Sequence, residues 1–130
     1  MIELKRAYEP ASREDGYRVL VERLWPRGVR KDDLPLDRWE KDLAPSHELR
    51  KWFAHDPGKW PEFRQRYRHE LKAPSARERL RELAARAAAG TVTLVFSSHD
   101  AQHNNAVVLK EEIERLANRA VSAAHRSQGP

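Results

Sequence analysis

Three stretches of the chain carry the hydrophobic pattern of β-strands. Residues 1–7 alternate apolar and polar side chains, which is the pattern of a strand with one buried face. Residues 17–25 contain three adjacent aliphatic side chains, as a strand covered on both faces would. Residues 91–97 form a short apolar stretch that directly follows a glycine. The pattern therefore predicts two strands near the start of the chain and one late in it.

Helices are predicted between the second and third strands. Leu36, Trp39 and Leu43 have the spacing of one helix face, which predicts a helix over residues 36–43. Ser46 is a residue type that caps helices, because its hydroxyl accepts from first-turn N–H groups. A short helix is expected to follow it and to run through residue 53.

Three further helices are predicted from their start signals and their apolar spacing. Asp56 followed by Pro57 combines an N-cap with a proline at the first helical position, where its missing N–H has no cost. Ser75 and Glu78 have the spacing of a capping box. These helices are predicted over residues 57–71, 76–89 and 103–120.

The order of these elements predicts the fold class. Strand, helices, strand and helix is the pattern of an α/β fold, here a small, mainly parallel sheet covered by helices in a single domain. Right-handed crossovers are expected to place the helices on the sheet faces. The domain is predicted over residues 1–121. Residues 122–130 are mostly small or polar and end in glycine and proline, which predicts a flexible C-terminal tail.

Composition excludes several function classes and leaves the charge open to two interpretations. The 130 residues include no cysteine, so disulfide and thiolate chemistry are excluded. The start of the chain lacks the apolar region of a signal peptide, and no apolar run approaches membrane-spanning length, so a cytoplasmic location is expected. The formal net charge of +5 indicates attraction to polyanions such as nucleic acid or to a phosphate-bearing ligand. The same excess of arginine is also explained by compositional bias.

A first polar cluster follows the second predicted strand. Pro26 and Gly28 predict a tight turn that presents Arg27 on a rigid corner. Arg23 and Arg27 are planar, bidentate donors suited to phosphate or carboxylate, although carboxylates of the protein could hold them instead. Trp25 is interpreted as a core or rim aromatic residue, with base stacking as the alternative.

A second polar cluster follows the third predicted strand. Asp100 is a candidate acid, base or ligand-orienting carboxylate, with Asn104 and Asn105 as hydrogen-bonding groups. The alternative is that this loop only caps the next helix. A weaker alternative is a metal site formed by His99, Asp100 and His103, although their spacing matches no standard zinc pattern. Ligands bind α/β sheets outside the carboxyl ends of the strands, so both clusters are expected at one edge.

Two further candidates lie at predicted helix starts. Ser46 could bind a ligand as well as cap its helix. His55 is a candidate acid or base, although Asp56 is a good N-cap and His55 could merely pack. The sequence indicates no particular cofactor.

An arginine-rich stretch provides the alternative class of function. Its arginines stand at every second position, and this spacing scatters their charge around a helix, which favours a solvated surface over a nucleic-acid interface. No recognised nucleic-acid-binding motif accompanies these arginines. Any nucleic-acid binding is expected to be weak and non-specific. The residues are Arg64, Arg66, Arg68, Arg77, Arg79 and Arg81.

The order of several motifs resembles the YeaO-like family, also called domain of unknown function 488. The motifs are LWPRG, LAPS, HDP and HNNAVVLK, and the resemblance runs from about Arg18 to Ile113. The family brings no settled activity with it. One departure is Ser97-Ser98-His99, where the family is expected to have a small and a basic residue before Asp100, so His99 is the least secure member of its cluster. The resemblance implies family positions at Arg23, Trp25, Pro26, Arg27, Gly28, Trp39, Pro45, Ser46, His55, Asp56, Pro57, Asp100, Asn104 and Asn105.

Two functional hypotheses follow from the sequence. The first is a pocket protein, or an enzyme, acting on a phosphorylated or nucleotide-like small molecule, with Arg23 and Arg27 holding the anion. Asp100 and His55 would be its acid and base candidates. The second is a non-enzymatic module that binds nucleic acid or protein through the arginine-rich helices.

Overall fold

A computed structural model describes residues 1–127, with side chains described for residues 1–119. Its sheet has the strand order β1-β4-β2-β3, and all pairs of neighbouring strands are parallel. The strands are β1 (Ile2–Arg6), β2 (Tyr17–Leu20), β3 (Arg38–Trp39) and β4 (Val92–Phe96). The helices are α1 (His47–Phe53), α2 (Trp60–Glu70), α3 (Pro74–Ala89) and α4 (Asn105–Ser127). The predicted single α/β domain with a small parallel sheet is confirmed.

The helices cover only one face of the sheet. Val19, Val21 and Leu94 point to this face and share one apolar core with side chains of all four helices. Leu20 and Val95 point to the opposite face, where they pack against Trp25, Val29, Leu36 and Trp39. An irregular segment between β2 and β3 therefore covers the second face. This explains why β2 is apolar on both sides, as the sequence indicated, although helices were expected as the cover.

The predicted helix over residues 36–43 is wrong. Arg38 and Trp39 form the edge strand β3, and the N–H groups of Asp37 and Glu40 donate to carbonyl groups of β2 at 2.9 Å. A short 3-10 turn, Lys41–Leu43, follows it. Leu36 and Trp39 pack on one face of the sheet and Leu43 on the other, so their helical spacing is not the spacing of one buried face.

Several predicted boundaries differ from those observed. β2 ends at Leu20 and not at residue 25, although Val21 still donates its N–H to Val95. α3 begins at Pro74 without a side-chain cap, so the predicted Ser75–Glu78 capping box is wrong. α4 begins at Asn105 and extends to Ser127, past the start of the predicted tail. Residues 128–130 lie outside the described residues, and the flexibility of the tail stays a prediction.

A dense polar network closes the amino end of the sheet. Asp15 is buried and forms salt bridges with Lys5 at 3.0 Å and with Arg18 at 2.5 Å. The N–H of Ser12 donates to the same carboxylate, and Thr93 Oγ1 donates to the carbonyl of Asp15. Burial acts to raise the pKa of Asp15, but these donors and cations outweigh it and lower the pKa to about 2. In the described part of the chain, no helix is long and apolar enough to cross a membrane.

Candidate functional site

The two polar clusters predicted from the sequence lie at the same edge of the sheet. β2 and β4 are adjacent and parallel, so the loops that carry Arg27 and Asp100 both leave from carboxyl ends of strands. The end of β1 connects these loops. Tyr8 Oη donates to the carbonyl of Arg27 at 3.1 Å, and Arg6 Nε donates to the carbonyl of Ser98 at 2.9 Å. This is the edge at which open α/β sheets bind ligands.

A polar cluster lies under this edge on the helical face, and we call it the carboxyl-edge cluster. Its members are brought together by the ends of β2 and β4, by α1 and α2, and by the first turn of α4. Asn105 Nδ2 donates to the carbonyl of Val21 at 2.6 Å, and the Asn105 side chain lies beside the Tyr67 hydroxyl. The cluster comprises Glu22, Arg23, Ser46, Arg50, Tyr67, Glu70 and Asn105.

Two half-buried arginines of this cluster lack a salt bridge among the described side chains. Arg23 Nη2 lies 3.4 Å and 3.5 Å from the carbonyl groups of Ala44 and Pro45, near the outer limit of hydrogen bonding. Arg23 Nε is buried without a partner. Arg50 lies half-buried on α1 and makes no side-chain hydrogen bond within the described residues. Guanidinium groups at partly buried positions normally find an anion or several acceptors, so these two have unused capacity for an anion.

Glu22 places a carboxylate near Arg50. Burial raises the pKa of Glu22, while the N–H of Ser97 at 3.2 Å and the charge of Arg50 act in the opposite direction. Burial wins, because one N–H donor and one partly solvated cation compensate for less than the lost hydration. Glu22 is thus a group whose charge depends on pH and bears directly on Arg50.

Tyr67 forms the buried floor of the cluster. Its side chain is completely buried, and its hydroxyl donates to the carbonyl of Leu43. Burial raises the pKa of Tyr67 well above its ordinary value, and the nearby carboxylates of Glu22 and Glu70 act in the same direction. The phenol therefore stays neutral and acts as a hydrogen-bonding group.

Ser46 is engaged as a helix cap, as the sequence predicted. Its Oγ accepts from the N–H of Leu49 at 3.2 Å and donates to Glu70 Oε2 at 2.6 Å. The second oxygen of Glu70 accepts the N–H of Ser46 at 2.9 Å. A ligand role for Ser46 stays a prediction and would require Glu70 to move. An open groove of about 490 Å³ lies beside this pair, between α1 and α2.

The Asp100 loop forms a connected cap at the start of α4. Asp100 Oδ1 accepts the N–H groups of Gln102 at 2.9 Å and His103 at 3.1 Å, and Oδ2 lies 2.8 Å from His103 Nδ1. The N–H of Gln102, followed by the His103 ring, lowers the pKa of Asp100. Asn104 is the N-cap itself, since its Oδ1 accepts from Val107 at 3.2 Å. The loop thus caps α4 through Asn104, while Asp100 fixes the turn that precedes the helix. Whether capping is its whole role, and whether Asp100 has a chemical role, stay predictions.

The metal alternative at this loop gains no support from the geometry. His99 faces Arg6, whose Nη2 lies 3.2 Å from His99 Nδ1, while His103 faces Asp100 and the edge of the Trp60 ring. Within the described residues, no three His, Asp or Glu side chains are grouped as metal ligands.

The remaining predicted residues are placed in different surroundings. Trp25 donates its Nε1–H to the carbonyl of Val29 and packs edge-on against Trp39, as a rim aromatic residue would. Gly28 has φ +79°, the positive angle expected for the tight turn, and Arg27 is exposed beside it. His55 is exposed on a left-handed turn, with φ +57°, and makes no hydrogen bond within the described residues.

Most of the arginine-rich stretch is engaged in ion pairs within the protein. Arg64 and Arg68 both contact Glu111, and Arg77 contacts the buried Glu112 at 3.4 Å. Arg66 pairs with Glu62 and Arg79 with Glu82, while Arg81 is exposed. Much of the positive charge of α2 and α3 is thus neutralised locally, which reduces their suitability for a polyanion.

Four members of the carboxyl-edge cluster were missed by the sequence analysis. One signal existed for Glu22, because a carboxylate that directly follows a buried strand lies at the carboxyl edge by the same reasoning as Arg23. Arg50, Tyr67 and Glu70 had no comparable signal, since they reach the cluster only through the packing of α1 and α2.

Comparisons with known proteins place this parallel α/β domain in a family. A family model described as "Inactive DUF488-N3 subclade" matches residues 1–130. The chain is 44% identical to the uncharacterized protein YeaO of Escherichia coli K12 over 116 residues, which cover 88% of this chain and 98% of that protein. It is 43% identical to the uncharacterized protein Rv3073c of Mycobacterium tuberculosis H37Rv over 110 residues, which cover 85% of this chain and 91% of that protein. No solved structure gives a significant match. The chain belongs to the YeaO-like family of domain of unknown function 488, as the motifs indicated.

Proposed function

We propose that this chain binds a small phosphorylated molecule at the carboxyl edge of its sheet, through Arg23 and Arg50. The observation that carries the proposal is the state of these two guanidinium groups. Both are half-buried, neither has a salt bridge among the described side chains, and Arg23 Nε is buried without a partner. A phosphate offers several acceptor oxygens with the geometry that guanidinium groups match in pairs.

A binding role agrees better with the site than a catalytic one. Both oxygens of Asp100 are engaged in capping and in the contact with His103, and His55 lies on an exposed turn. The matching family model is described as an inactive subclade, which supports binding without chemistry. The nucleic-acid alternative is less favoured, because the arginines of α2 and α3 are largely paired with glutamates.

The proposal is tested by calorimetric titration with pyrophosphate and with ribose 5-phosphate at constant ionic strength. Arg23→Gln and Arg50→Gln should each weaken binding about tenfold or more, the usual loss for a hydrogen-bonded charge contact. Arg81→Gln is the matched control, because it removes the same charge from an exposed position on α3.

The control separates a built site from diffuse attraction. The Arg81 variant should bind as the wild type does. Equal losses in all three variants would mean that net charge alone attracts the ligand, and the site would be rejected. Absence of wild-type binding to either compound at millimolar concentration would reject the function.

A further inference from the structure

Tyr8 is an aromatic residue that is unusually exposed and unusually well fixed. It follows β1, and 48% of its surface is exposed, although its ring is large and apolar. Its hydroxyl donates to the carbonyl of Arg27 at 3.1 Å, which ties the ring to the loop after β2. Exposed aromatic side chains with one polar anchor are common at binding surfaces.

One face of the Tyr8 ring is covered by a cation that is itself held in place. The guanidinium carbon of Arg6 lies 4.9 Å from the ring centroid. Arg6 is fixed by the carbonyl of Ser98 at 2.9 Å and by His99 Nδ1 at 3.2 Å, both from the loop after β4. The end of β1 and the loops that follow β2 and β4 therefore hold the ring in place. A partner that stacks on the ring would cause little additional ordering of the protein.

We propose that the uncovered part of the Tyr8 ring stacks the planar base of a mononucleotide whose phosphate is bound at the same edge of the sheet. The proposal rests on the function proposed above and names its ligand class. Charge complementarity supports this occupant, because the Arg6 guanidinium lies over the ring, and among the described side chains no carboxylate hydrogen-bonds to the Tyr8 hydroxyl. An aromatic face beside an arginine is a common combination for binding a base next to its phosphate.

The test compares two ligands that differ by the base. Calorimetric titration measures the Kd of AMP and of ribose 5-phosphate for the wild type and for Tyr8→Leu, Tyr8→Trp and Leu24→Ala. The wild type should bind AMP about tenfold or more tightly than ribose 5-phosphate, in line with base stacking on one aromatic ring. Tyr8→Leu should abolish this preference and leave the Kd of ribose 5-phosphate unchanged, whereas Tyr8→Trp should keep the preference. Leu24→Ala removes another exposed apolar side chain near this edge, 67% exposed, and should change neither Kd.

Each other outcome overturns the inference in an identifiable way. Equal binding of the two ligands by the wild type would reject stacking and leave phosphate binding intact. Loss of both ligands in Tyr8→Leu, with a lower melting temperature, would make Tyr8 a structural link between loops. Much tighter binding of a single-stranded oligonucleotide than of AMP would place the base in a nucleic acid and reject the mononucleotide. If neither small ligand binds, the proposed function fails and the inference fails with it.

Discussion

The two ends of the sheet differ in how far their buried charged side chains are paired. At the amino end, Asp15 is held by two cations and by the N–H of Ser12, and its pKa is lowered to about 2. At the carboxyl end, Glu22 has one N–H donor and one cation beside it, and burial raises its pKa. Arg23 and Arg50, next to Glu22, have no salt bridge among the described side chains.

This difference separates an end of the sheet where buried charge is paired from an end where it is not, and the second is where we propose that a ligand binds. A buried carboxylate with several donors stabilises the native state, because its charged form is favoured there. Half-buried arginines without an anion contribute little stability and retain the ability to hold a ligand. The same parallel sheet thus has a polar network of paired charges at one end and, at its other end, arginines that the described part of the protein satisfies only in part.

The largest effect is expected for Asp15→Ala at the amino end. The substitution leaves the buried Arg18 and the nearby Lys5 without their carboxylate, which typically costs about 3–5 kcal/mol of unfolding free energy. Urea unfolding at pH 7 measures the loss. Glu14→Ala, at an exposed neighbouring position, is the control and should stay within about 0.5 kcal/mol.

The pH dependence of the wild type checks the same interpretation. The pKa of Asp15 is lowered from 3.8 to about 2 on folding. Its charged carboxylate therefore contributes to the free energy of unfolding above pH 3.8, and this contribution is lost as the pH falls through 2. The gap in stability between wild type and Asp15→Ala should therefore narrow in this acidic range. A gap that is independent of pH would show that packing, and not charge, accounts for the effect.

A second comparison uses one glycine from each end. Gly16 has φ +61°, and a Cβ there would collide with the carbonyl oxygen of Thr91, whereas Gly28 has φ +79° with open space around it. Gly28→Ala should cost about 1–2 kcal/mol from backbone strain alone. Gly16→Ala should exceed it by about 1–3 kcal/mol, because the backbone must also move. Equal losses in thermal unfolding would contradict the close approach at Gly16.

A smaller effect, of opposite sign, is expected for Glu22→Gln. The pKa of Glu22 is raised in the folded protein. The contribution of Glu22 to the free energy of unfolding is therefore fully present below its unfolded pKa of 4.5, and it is lost as the pH rises through its folded pKa. Glutamine keeps an oxygen for the N–H of Ser97 but never ionises. The variant should therefore gain stability at neutral pH, by roughly 1 kcal/mol on the usual scale of one buried polar group, and match the wild type at pH 4.

The same variant also addresses binding. Removing this carboxylate leaves Arg50 without an opposing charge, so phosphate affinity at pH 7 should rise. Glu48→Gln removes the same charge from an exposed position on α1 and controls for net charge. Equal gains in the two variants would show that Glu22 has no special influence on the arginines.

The fold could be predicted where apolar pattern and burial coincide. β1, β2 and β4 were found because their aliphatic side chains are buried under the helices on one face and under the irregular segment on the other. β3 was not, since it has only two residues and its hydrogen bonds depend on the neighbouring strand. The helical spacing of Leu36, Trp39 and Leu43 was misleading, because both faces of the sheet are covered. Apolar residues of this segment are buried on either face, so they recur along the sequence without lying on one face of a helix.

The position of the candidate site was predictable, but its composition was not. The rule that ligands bind at carboxyl ends of parallel strands led to the prediction that Arg23 and Asp100 lie at one edge of the sheet, and the structure places them there. Tyr67 and Glu70 come from a helix that is far from β2 in sequence, and only tertiary packing brings them to Arg23. Sequence spacing identifies neighbours on one element and is silent about neighbours on different elements.

The smallest change in stability is expected for Asp100→Asn at the carboxyl end. Asparagine can accept the N–H groups of Gln102 and His103 as aspartate does, and the two residues cap about equally well. The melting temperature should therefore stay within about 3 °C of the wild type, whereas Asp100→Ala, which removes both acceptors, should lower it further. The side-chain contact with His103 is the one interaction that asparagine must rearrange. If Asp100→Asn melts as early as Asp100→Ala, the ion pair with His103 and not the cap fixes this loop.

Titration of Asp100→Asn with AMP then tests the ligand-binding or chemical role that the sequence predicts for Asp100. A variant that keeps its melting temperature and its affinity has a purely structural Asp100, whereas unchanged melting with lost affinity would make the carboxylate part of the site.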